Sequence, residues 1–151
     1  MRIAVGADHA GYELKREVGA LLTKLGHEWA DFSAAALDPE DDYPDVALEV
    51  ARAVARGQYD RGILICGTGI GVCITANKVA GIRAALCGDT FSARSSREHN
   101  DANVLCLGAR VVGPGLAADI VSAFLAADFA TAARHRRRVD KMSALDEGRS
   151  C

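Results

Sequence analysis

Short apolar segments alternate along this chain with longer segments in which apolar residues recur at helical spacing. The short segments predict five strands, at Arg2 to Gly6, His27 to Phe32, Gly62 to Cys66, Ile82 to Leu86 and Asn103 to Leu107. Each is too short for a helix and ends near a glycine, an acidic residue or a cysteine. Strands that alternate with helices are typical of repeated βα units, so the pattern predicts an α/β fold with a parallel sheet.

The longer segments predict amphipathic helices with recognisable ends. The first apolar stripe consists of Leu14, Val18, Leu21, Leu22 and Leu25. Gly26 follows it and suits the position just beyond a helix C-terminus. A second helix starts at the acidic residues before Pro44 and stops at Arg56-Gly57, and a third follows Gly113-Pro114-Gly115. The segment from Thr131 to Met142 predicts an additional basic helix.

The chain of 151 residues has the length of one domain. Hydrophobic residues make up 50% and charged residues 25%, a composition typical of globular chains rather than disordered or membrane ones. A chain of this size buries roughly 70% of its unfolded surface, so folding needs no disulfide or metal. We expect residues 1–151 to form one domain, with a loop from Ser33 to Asp42 and a frayed end from about Glu147 to Cys151.

The net charge bears on which partners the protein binds, and the cysteine pattern bears on the cellular compartment in which it works. Lys and Arg number 18 against 20 Asp and Glu, so the formal net charge of −2 provides no basic field for nucleic acid or an anionic membrane. The five cysteines have no CxxC pair and no zinc-ligand spacing; they are Cys66, Cys73, Cys87, Cys106 and Cys151. The apolar run from Ile3 to Gly6 near the N-terminus is too short for a signal-peptide core, and no stretch approaches the length of a membrane span. We therefore expect a cytoplasmic protein without nucleic-acid or membrane partners.

The segment from Cys66 to Gly71 reads Cys-Gly-Thr-Gly-Ile-Gly and directly follows a buried apolar run. Alternating glycines allow a sharp turn whose N–H groups point at an anion, and the start of a helix through Asn77 adds favourable charge. A dinucleotide fingerprint would need glycine where Val72 stands, although Asp89 is near the place of a ribose-binding acid. A free cysteine is most often a small buried apolar residue. The motif alone leaves three interpretations open: an anion-binding turn, a nucleotide site, or a turn in which Cys66 is merely a buried residue.

Parallel sheets bind ligands at the carboxyl ends of their strands, so we expect the functional side chains at that edge. Asp8 and His9 follow the first predicted strand and suit a sugar hydroxyl or a phosphate, with helix capping by Asp8 as the alternative. His99, beside Asn100, precedes the fifth strand, and we place it at the same edge as a proton-transfer group. A histidine at a helix end is also a common cap. Metal binding by the two histidines with Asp8 and Cys66 lacks the spacing of a ligand motif.

Arg134 and Arg138 stand four residues apart in the predicted C-terminal helix, so they share one helix face. Two guanidinium groups in that arrangement suit a phosphate dianion, and Arg110, after the fifth strand, would add a third cation. A solvated basic face is the alternative that this motif alone favours. The aromatic content of 5% and the negative net charge argue against nucleic acid.

Separated motifs in one order resemble the ribose-5-phosphate isomerase B family, which is related to the galactose-6-phosphate isomerase subunits. The motifs are Gly6-Ala7-Asp8-His9-Ala10-Gly11, Asp42-Tyr43-Pro44, Cys66-Gly67-Thr68-Gly69-Ile70-Gly71 with Ala76-Asn77-Lys78, Glu98-His99-Asn100, and Arg134-His135 with Arg138-Val139. The resemblance covers about residues 2 to 142. It implies a Rossmann-like three-layer sandwich with a five-stranded parallel sheet. It also implies a homodimer whose active sites are shared between subunits, often paired into a tetramer.

The resemblance further implies a role for each matching residue, in a reaction without metal or cofactor. Cys66 is the base that moves a proton between C2 and C1 of the sugar, and Thr68 and His99 assist ring opening. The residues implied in substrate binding are Asp8, His9, Tyr43, Gly67, Gly69, Ile70, Gly71, Asn100, Arg110, Arg134 and Arg138. Among them the aspartate and the asparagine bind hydroxyls, the histidine and the arginines bind phosphate, and the backbone N–H groups of the glycine segment hold the enediolate. In one branch of the family a glutamate at the position of Val72 is the base, whereas this chain has the cysteine pattern.

The expected function is the interconversion of ribose 5-phosphate and ribulose 5-phosphate through an enediolate, a step of the pentose phosphate pathway. A proton next to a carbonyl is weakly acidic, so the reaction needs a base and fixed donors where negative charge develops. Departures from the family pattern at Cys73, Thr75 and Arg136-Arg137 leave the sugar open, with a hexose or tetrose phosphate as the alternative. The alternative of another class is a non-catalytic nucleotide- or anion-binding module, which would bind ligand without exchanging the C2 proton.

Overall fold

Five parallel strands form one sheet at the centre of the molecule. They are β1 (Arg2–Ala7), β2 (Glu28–Asp31), β3 (Arg61–Cys66), β4 (Ala84–Leu86) and β5 (Val104–Gly108). Their order across the sheet is β2-β1-β3-β5-β4. The computed structural model describes residues 1–34 and 36–146, so the frayed end expected from Glu147 to Cys151 lies outside the described residues. All five predicted strands are confirmed, and the fourth begins at Ala84 rather than at Ile82.

Helices cover both faces of the sheet. On one face lie α1 (Tyr12–Lys24), α4 (Thr90–Asn100) and α5 (Pro114–Ala126), and on the other lie α2 (Tyr43–Ala55) and α3 (Ile70–Ala76). The basic helix α6 (Ala133–Ser143) packs against α4. This is the three-layer sandwich expected from the sequence. In the described part of the chain no helix combines the length and the apolar character that crossing a bilayer requires.

The connections explain which face each helix covers. A right-handed crossover between parallel strands places its helix on the face set by the direction of the step. The steps from β1 to β2 and from β4 to β5 run in one direction across the sheet, so α1 and α4 share a face. The steps from β2 to β3 and from β3 to β4 run in the other direction, so α2 and α3 share the opposite face. The order reverses between β1 and β3, and open α/β sheets bind ligands at such a switch point.

The helix ends follow the residues that the sequence offers. Gly26 has φ of 76°, and its N–H donates to the carbonyl of Thr23 at 3.0 Å just beyond α1. Pro44 lies in the first turn of α2, where its missing N–H costs no hydrogen bond. Helix α6 begins at Ala133, two residues after the start that the sequence predicts. The predicted helix stops and starts are thus confirmed to within about two residues, the usual scatter of helix boundaries.

The apolar pattern does not predict α4, because the buried face of this helix consists of Ala93, Ser96 and Arg97. Arg97 is only 2% exposed. Its Nη1 donates to Oδ1 of Asp101 at 2.8 Å and to the carbonyl of Ala102 at 2.7 Å, and a buried cation needs such partners. A helix buried through polar side chains leaves no apolar periodicity in the sequence.

Candidate active site

Three neighbouring strands bring Asp8, Cys66 and Arg110 to the carboxyl edge of the sheet. In the register of the sheet Ala7 pairs with Ile65, and Cys66 pairs with Gly108. Asp8 directly follows β1, Cys66 is the last residue of β3, and Arg110 lies two residues beyond β5. The carboxyl-edge position expected for these three residues is therefore confirmed.

The Cys66 sulfur lies under the turn that follows it. Cys66 is 4% exposed and belongs to the apolar cluster on the α2–α3 face, as a small buried residue would. Its Sγ also accepts the backbone N–H of Gly69 at 3.1 Å, and its carbonyl accepts the N–H of Ala109 at 2.8 Å. These contacts fix the sulfur at the point where the strand ends and the turn begins.

Close packing around the turn requires its glycines. Gly69 has φ of 77°, and a Cβ there would lie 2.5 Å from Cδ1 of Leu86 and 2.8 Å from the carbonyl carbon of Leu107. A Cβ on Gly71 would lie 2.5 Å from the ring of Tyr43. Ordinary Cβ contacts are far longer than this, so only glycine fits both positions. Tyr43 thereby lies against the turn, although it comes from the first turn of α2.

Some N–H groups of this turn are engaged within it. The N–H of Gly69 donates to the sulfur of Cys66, and that of Ile70 donates to Oγ1 of Thr68 at 3.3 Å. The N–H groups of Gly71 and Val72 belong to the first turn of α3, where helical N–H groups lack an intrahelical acceptor. Donors for an anion are therefore best supplied by the end of the turn rather than by its middle.

Asp8 caps the short 3-10 turn His9–Gly11. Its side chain is buried, and its Oδ1 accepts the N–H of Gly11 at 3.1 Å. The capping interpretation of Asp8 is therefore confirmed. Its second oxygen, Oδ2, accepts no hydrogen bond from the described residues. Capping by one oxygen leaves the other as an acceptor for a ligand hydroxyl at the carboxyl edge.

His9 is held by Asp41, a residue that the sequence indicates only as part of a helix start. Nδ1 of His9 lies 2.7 Å from Oδ1 of Asp41, and the same oxygen accepts the N–H of His9 at 3.0 Å. The hydrogen bond with Asp41 raises the pKa of His9 above its ordinary 6.5, against smaller opposing effects that include the charge of Arg110. The loop from Ser33 to Asp42 thus supplies the counter-charge. Only the density of acidic residues in that loop signals this role.

The guanidinium of Arg110 covers the start of the turn. Its Nη1 lies 3.3 Å from the position that a Cβ on Gly67 would take, and the N–H of Arg110 donates to the carbonyl of Gly67 at 2.9 Å. Its charge also acts on His9. Arg110 and protonated His9 thus bring positive charge to the same edge as the thiol, an arrangement that suits an anionic ligand.

The sequence-based position of His99 is wrong. Helix α4 starts after the carboxyl end of β4 and returns to the amino end of β5, so His99 and Asn100, at its end, lie at the amino edge of the sheet. Eleven residues of α-helix span about 16 Å. The rule of the carboxyl edge applies to residues that follow a strand, whereas His99 precedes one.

His99 instead forms a group with helix α6. Its ring stacks on that of His135, with centroids 4.4 Å apart and planes inclined by 7°. Nε of Arg134 donates to Nε2 of His135 at 3.3 Å, and Arg138 follows one turn later on α6. Burial lowers the pKa of His135, and the charges of His99, Arg134 and Arg138 lower it further. The shared helix face of the two arginines is confirmed.

The candidate residues therefore fall into two groups within one chain. The carboxyl-edge group comprises Asp8, His9, Tyr43, Cys66, Gly67, Thr68, Gly69, Ile70, Gly71 and Arg110. The α4–α6 group comprises His99, Asn100, Arg134 and Arg138. The metal site considered for Asp8, His9, Cys66 and His99 is not assembled, because His99 belongs to the other group. In residues 1–34 and 36–146 no three His, Cys, Asp or Glu side chains converge in an arrangement able to hold a metal ion.

Further thiols lie close to Cys66. A hydrogen bond from the Cys106 thiol lowers the pKa of Cys73 to about 7. Burial raises the pKa of Cys106, and it also raises that of Cys87 to about 11. Because the Cys73 thiolate is available near neutral pH, alkylating reagents will not single out Cys66. The role of Cys66 must be tested by substitution.

The family model described as Ribose/Galactose Isomerase matches residues 3–142. This chain belongs to that family. A solved ribose-5-phosphate isomerase B of Clostridium thermocellum is 53% identical, covers 99% of this chain and 100% of its own, and superposes with a TM-score of 0.94. The ribose/galactose isomerase family membership and the shared fold make this protein a sugar-phosphate isomerase of the α/β class, as the sequence motifs indicated.

Relatives of this family differ in the sugar they are named for. The D-erythrulose-4-phosphate isomerase of Pectobacterium atrosepticum is 50% identical over 129 residues, which are 85% of each chain. The ribose-5-phosphate isomerase B of Mycoplasma genitalium was solved with bound ribulose-5-phosphate. It is 41% identical, covers 97% of this chain and 96% of its own, and has a TM-score of 0.92. Similarity over the whole chain therefore shows the class of reaction, sugar-phosphate isomerisation, but does not decide how many carbons the substrate has.

Proposed function

We propose that this protein interconverts ribose 5-phosphate and ribulose 5-phosphate through an enediolate, with Cys66 as the base. The observation that carries the proposal is the Cys66 sulfur at the end of β3, held under the glycine turn by the N–H of Gly69. Two of the relatives above, 53% and 41% identical, are named ribose-5-phosphate isomerase B. The reaction would place the protein in the pentose phosphate pathway, in the cytoplasm.

The chemistry needs a base that takes a proton from C2 and returns it to C1. The thiolate of Cys66 removes the C2 proton of the open-chain aldose, and the electron pair moves into an enediolate whose charge rests on O1. Backbone N–H groups of the glycine segment, including that of Gly71 at the start of α3, stabilise that charge as an oxyanion hole does. The hydroxyl proton of O2 passes to O1, the thiol of Cys66 protonates C1, and C2 becomes the ketone carbon, so that the ketose results and Cys66 is a thiolate again. No electron leaves or enters the substrate.

The phosphate is bound far from the reacting carbons. His9 and Arg110 supply positive charge at the carboxyl edge, and Arg134 and Arg138 supply two further guanidinium groups from α6. Binding at a remote phosphate holds C1 and C2 in register with the base, so that binding energy is used in the transition state. Asp8 and Asn100 would hold the hydroxyls between the two ends.

A complete site requires two copies of the chain. His99 and the two α6 arginines lie at the opposite edge of the sheet from Cys66, so one chain does not place them around one substrate. In a two-fold dimer the α4–α6 group of each subunit meets the carboxyl-edge group of the other, and both sites form at once. His99 with Thr68 then transfers the protons that open the furanose ring, one to the ring oxygen and one from O1.

Exposed apolar side chains beside the glycine turn support this dimer. They are Ile70, Ile74, Leu86 and Phe91, exposed by 51%, 56%, 43% and 66%. Ile70 and Ile74 come from α3, Leu86 touches the turn at Gly69, and the fourth lies in the first turn of α4. Apolar side chains grouped around a site that lacks part of its residues are expected to be covered by the second subunit.

A four-carbon substrate is the second candidate, because the relative from Pectobacterium atrosepticum is named for erythrulose 4-phosphate at 50% identity. Assays of four-, five- and six-carbon aldose phosphates separate the candidates. The highest kcat/KM on ribose 5-phosphate, with exchange of the C2 proton in D2O, supports the proposal. The highest value on the tetrose phosphate moves the function to that substrate. Binding of all of them without exchange would leave only an anion-binding module.

A further inference from the structure

The stacked rings of His99 and His135 differ sharply in their surroundings. His99 is exposed, whereas His135 is 6% exposed. Their centroids are 4.4 Å apart and their planes are nearly parallel, inclined by 7°. The buried ring on α6 therefore forms a flat support for the exposed ring at the end of α4.

The hydrogen bond from Arg134 determines which nitrogen of His135 carries the proton. Nε of Arg134 donates to Nε2 of His135 at 3.3 Å, so Nε2 presents a lone pair and the proton of the neutral ring resides on Nδ1. Nδ1 is buried and has no partner among the described residues. Burial and the neighbouring cations lower the pKa of His135. The ring is therefore a neutral aromatic group that accepts from an arginine.

An apolar side chain would fill this buried position without leaving Nδ1 unpaired. A buried donor without a partner is costly, so the imidazole must contribute something that a leucine does not. It contributes an aromatic face to His99 and an acceptor to Arg134. Parallel aromatic pairs are stabilised beyond their buried area, and a hydrogen bond fixes the direction of a flexible arginine.

We propose that His135 is a positioning residue that sets two members of the site at once. Its ring face fixes the plane of the His99 imidazole, and its Nε2 fixes the guanidinium of Arg134. The proposal rests on the function proposed above, in which His99 opens the sugar ring and Arg134 binds the phosphate. His135 itself touches no substrate.

Two substitutions separate the ring face from the acceptor. His135→Phe keeps an aromatic face and loses the acceptor, so kcat on ribose 5-phosphate stays within about threefold while the inhibition constant of inorganic phosphate rises about fivefold. His135→Gln keeps an acceptor at the place of Nε2 and loses the ring, so kcat falls by about tenfold or more while phosphate inhibition stays within about threefold. His135→Leu lacks both features, fills the apolar space and shows both losses.

The proton NMR signals of His99 provide a readout that needs no isomerase activity. A stacked ring shifts the ring-proton resonances of His99 upfield, and we expect this shift in the parent and in His135→Phe but not in His135→Gln or His135→Leu. If the parent does not isomerise ribose 5-phosphate, the proposed function fails. The NMR signals then still test the positioning of His99, and the dissociation constant of inorganic phosphate, measured by calorimetry, still tests that of Arg134.

The pattern of losses decides whether His135 acts through its neighbours. Opposite effects of His135→Phe and His135→Gln on kcat and on phosphate inhibition support the proposal. Equal losses of both quantities in the two variants, in step with a lower thermal midpoint, would overturn it in favour of a purely structural role. If His135→Gln does not fold, His135→Leu serves as the variant without an aromatic ring. Unchanged His99 resonances in His135→Leu would overturn the proposal as well.

Discussion

One carboxylate oxygen of Asp41 accepts the backbone N–H of His9 at 3.0 Å and lies 2.7 Å from Nδ1 of the same histidine. This contact raises the pKa of His9. His9 therefore keeps its positive charge to higher pH than an ordinary histidine and loses it as the pH rises through the raised pKa. A loop residue thus sets the pH range over which His9 would bind phosphate in the proposed site.

Asp41→Asn removes this support, so phosphate inhibition should weaken at a lower pH in the variant than in the parent. The measurement is the inhibition constant of inorganic phosphate as a function of pH, with the His9 titration followed by NMR. Asp38→Asn, in the same loop but bonded to the N–H of Glu40, is the control and should leave the profile unchanged. Superimposable profiles for the parent and Asp41→Asn would rule out the role of Asp41.

Gly69→Ala should destabilise the fold and stop turnover. Gly69 and Gly81 have similar φ values of 77° and 80°, but a Cβ on Gly81 would meet nothing within 4 Å, whereas a Cβ on Gly69 would meet Leu86 and Leu107. We expect Gly81→Ala to lose about 1 kcal/mol of unfolding free energy. Gly69→Ala should lose about 3 kcal/mol, because steric overlap adds to the backbone strain. Urea unfolding measures both, and equal losses would mean that the turn is not tightly packed.

Cys66→Ala should abolish isomerisation while the protein stays folded and binds phosphate. Removal of a positioned base costs on the order of 100- to 10,000-fold in rate. The control is Cys73→Ala, because the pKa of Cys73 is about 7 and its thiolate is the rival base. The control should keep most of the parent's activity. A large loss in Cys73→Ala with near-normal turnover in Cys66→Ala would move the base to α3.

Arg138→Ala should weaken phosphate inhibition by about tenfold or more, because a charge-assisted hydrogen bond is worth roughly 1.5 to 3 kcal/mol. Arg137→Ala is the matched control, since it removes the same charge from the preceding position of α6, which does not lie on the same face of the helix as Arg138. Competition by inorganic phosphate measures both. Equal effects of the two substitutions would show that the arginines act only as a basic surface.

The strands and most helices are predictable because their signals are local. Apolar runs mark β1 to β5, and Gly26 and Pro44 mark helix ends within one or two residues. Helix α4 escapes prediction because Arg97 and Ser96, rather than apolar residues, face the core. Its burial depends on Asp101, whose pairing with Arg97 becomes visible only in three dimensions.

The candidate site is predictable where its residues directly follow strands. Asp8, Cys66 and Arg110 fall at the carboxyl edge as expected, because the direction of a parallel strand fixes the place of the residue after it. His99 does not, because the direction of the helix that precedes β5 carries it to the opposite edge. The ring contact between His99 and His135 joins two helices separated along the chain, and no local pattern records it.

Hybrid dimers test the shared isomerase site most directly. Subunits with Cys66→Ala and with His99→Asn carry different affinity tags, and the hybrid is isolated from co-expressing cells by both tags in turn. Because each proposed site takes its thiol from one subunit and its histidine from the other, the hybrid contains one doubly altered site and one intact site. It should show about half of the parent's activity per dimer on ribose 5-phosphate, although each homodimeric variant is nearly inactive. A hybrid as inactive as a dimer that carries Cys66→Ala under both tags would contradict the shared site.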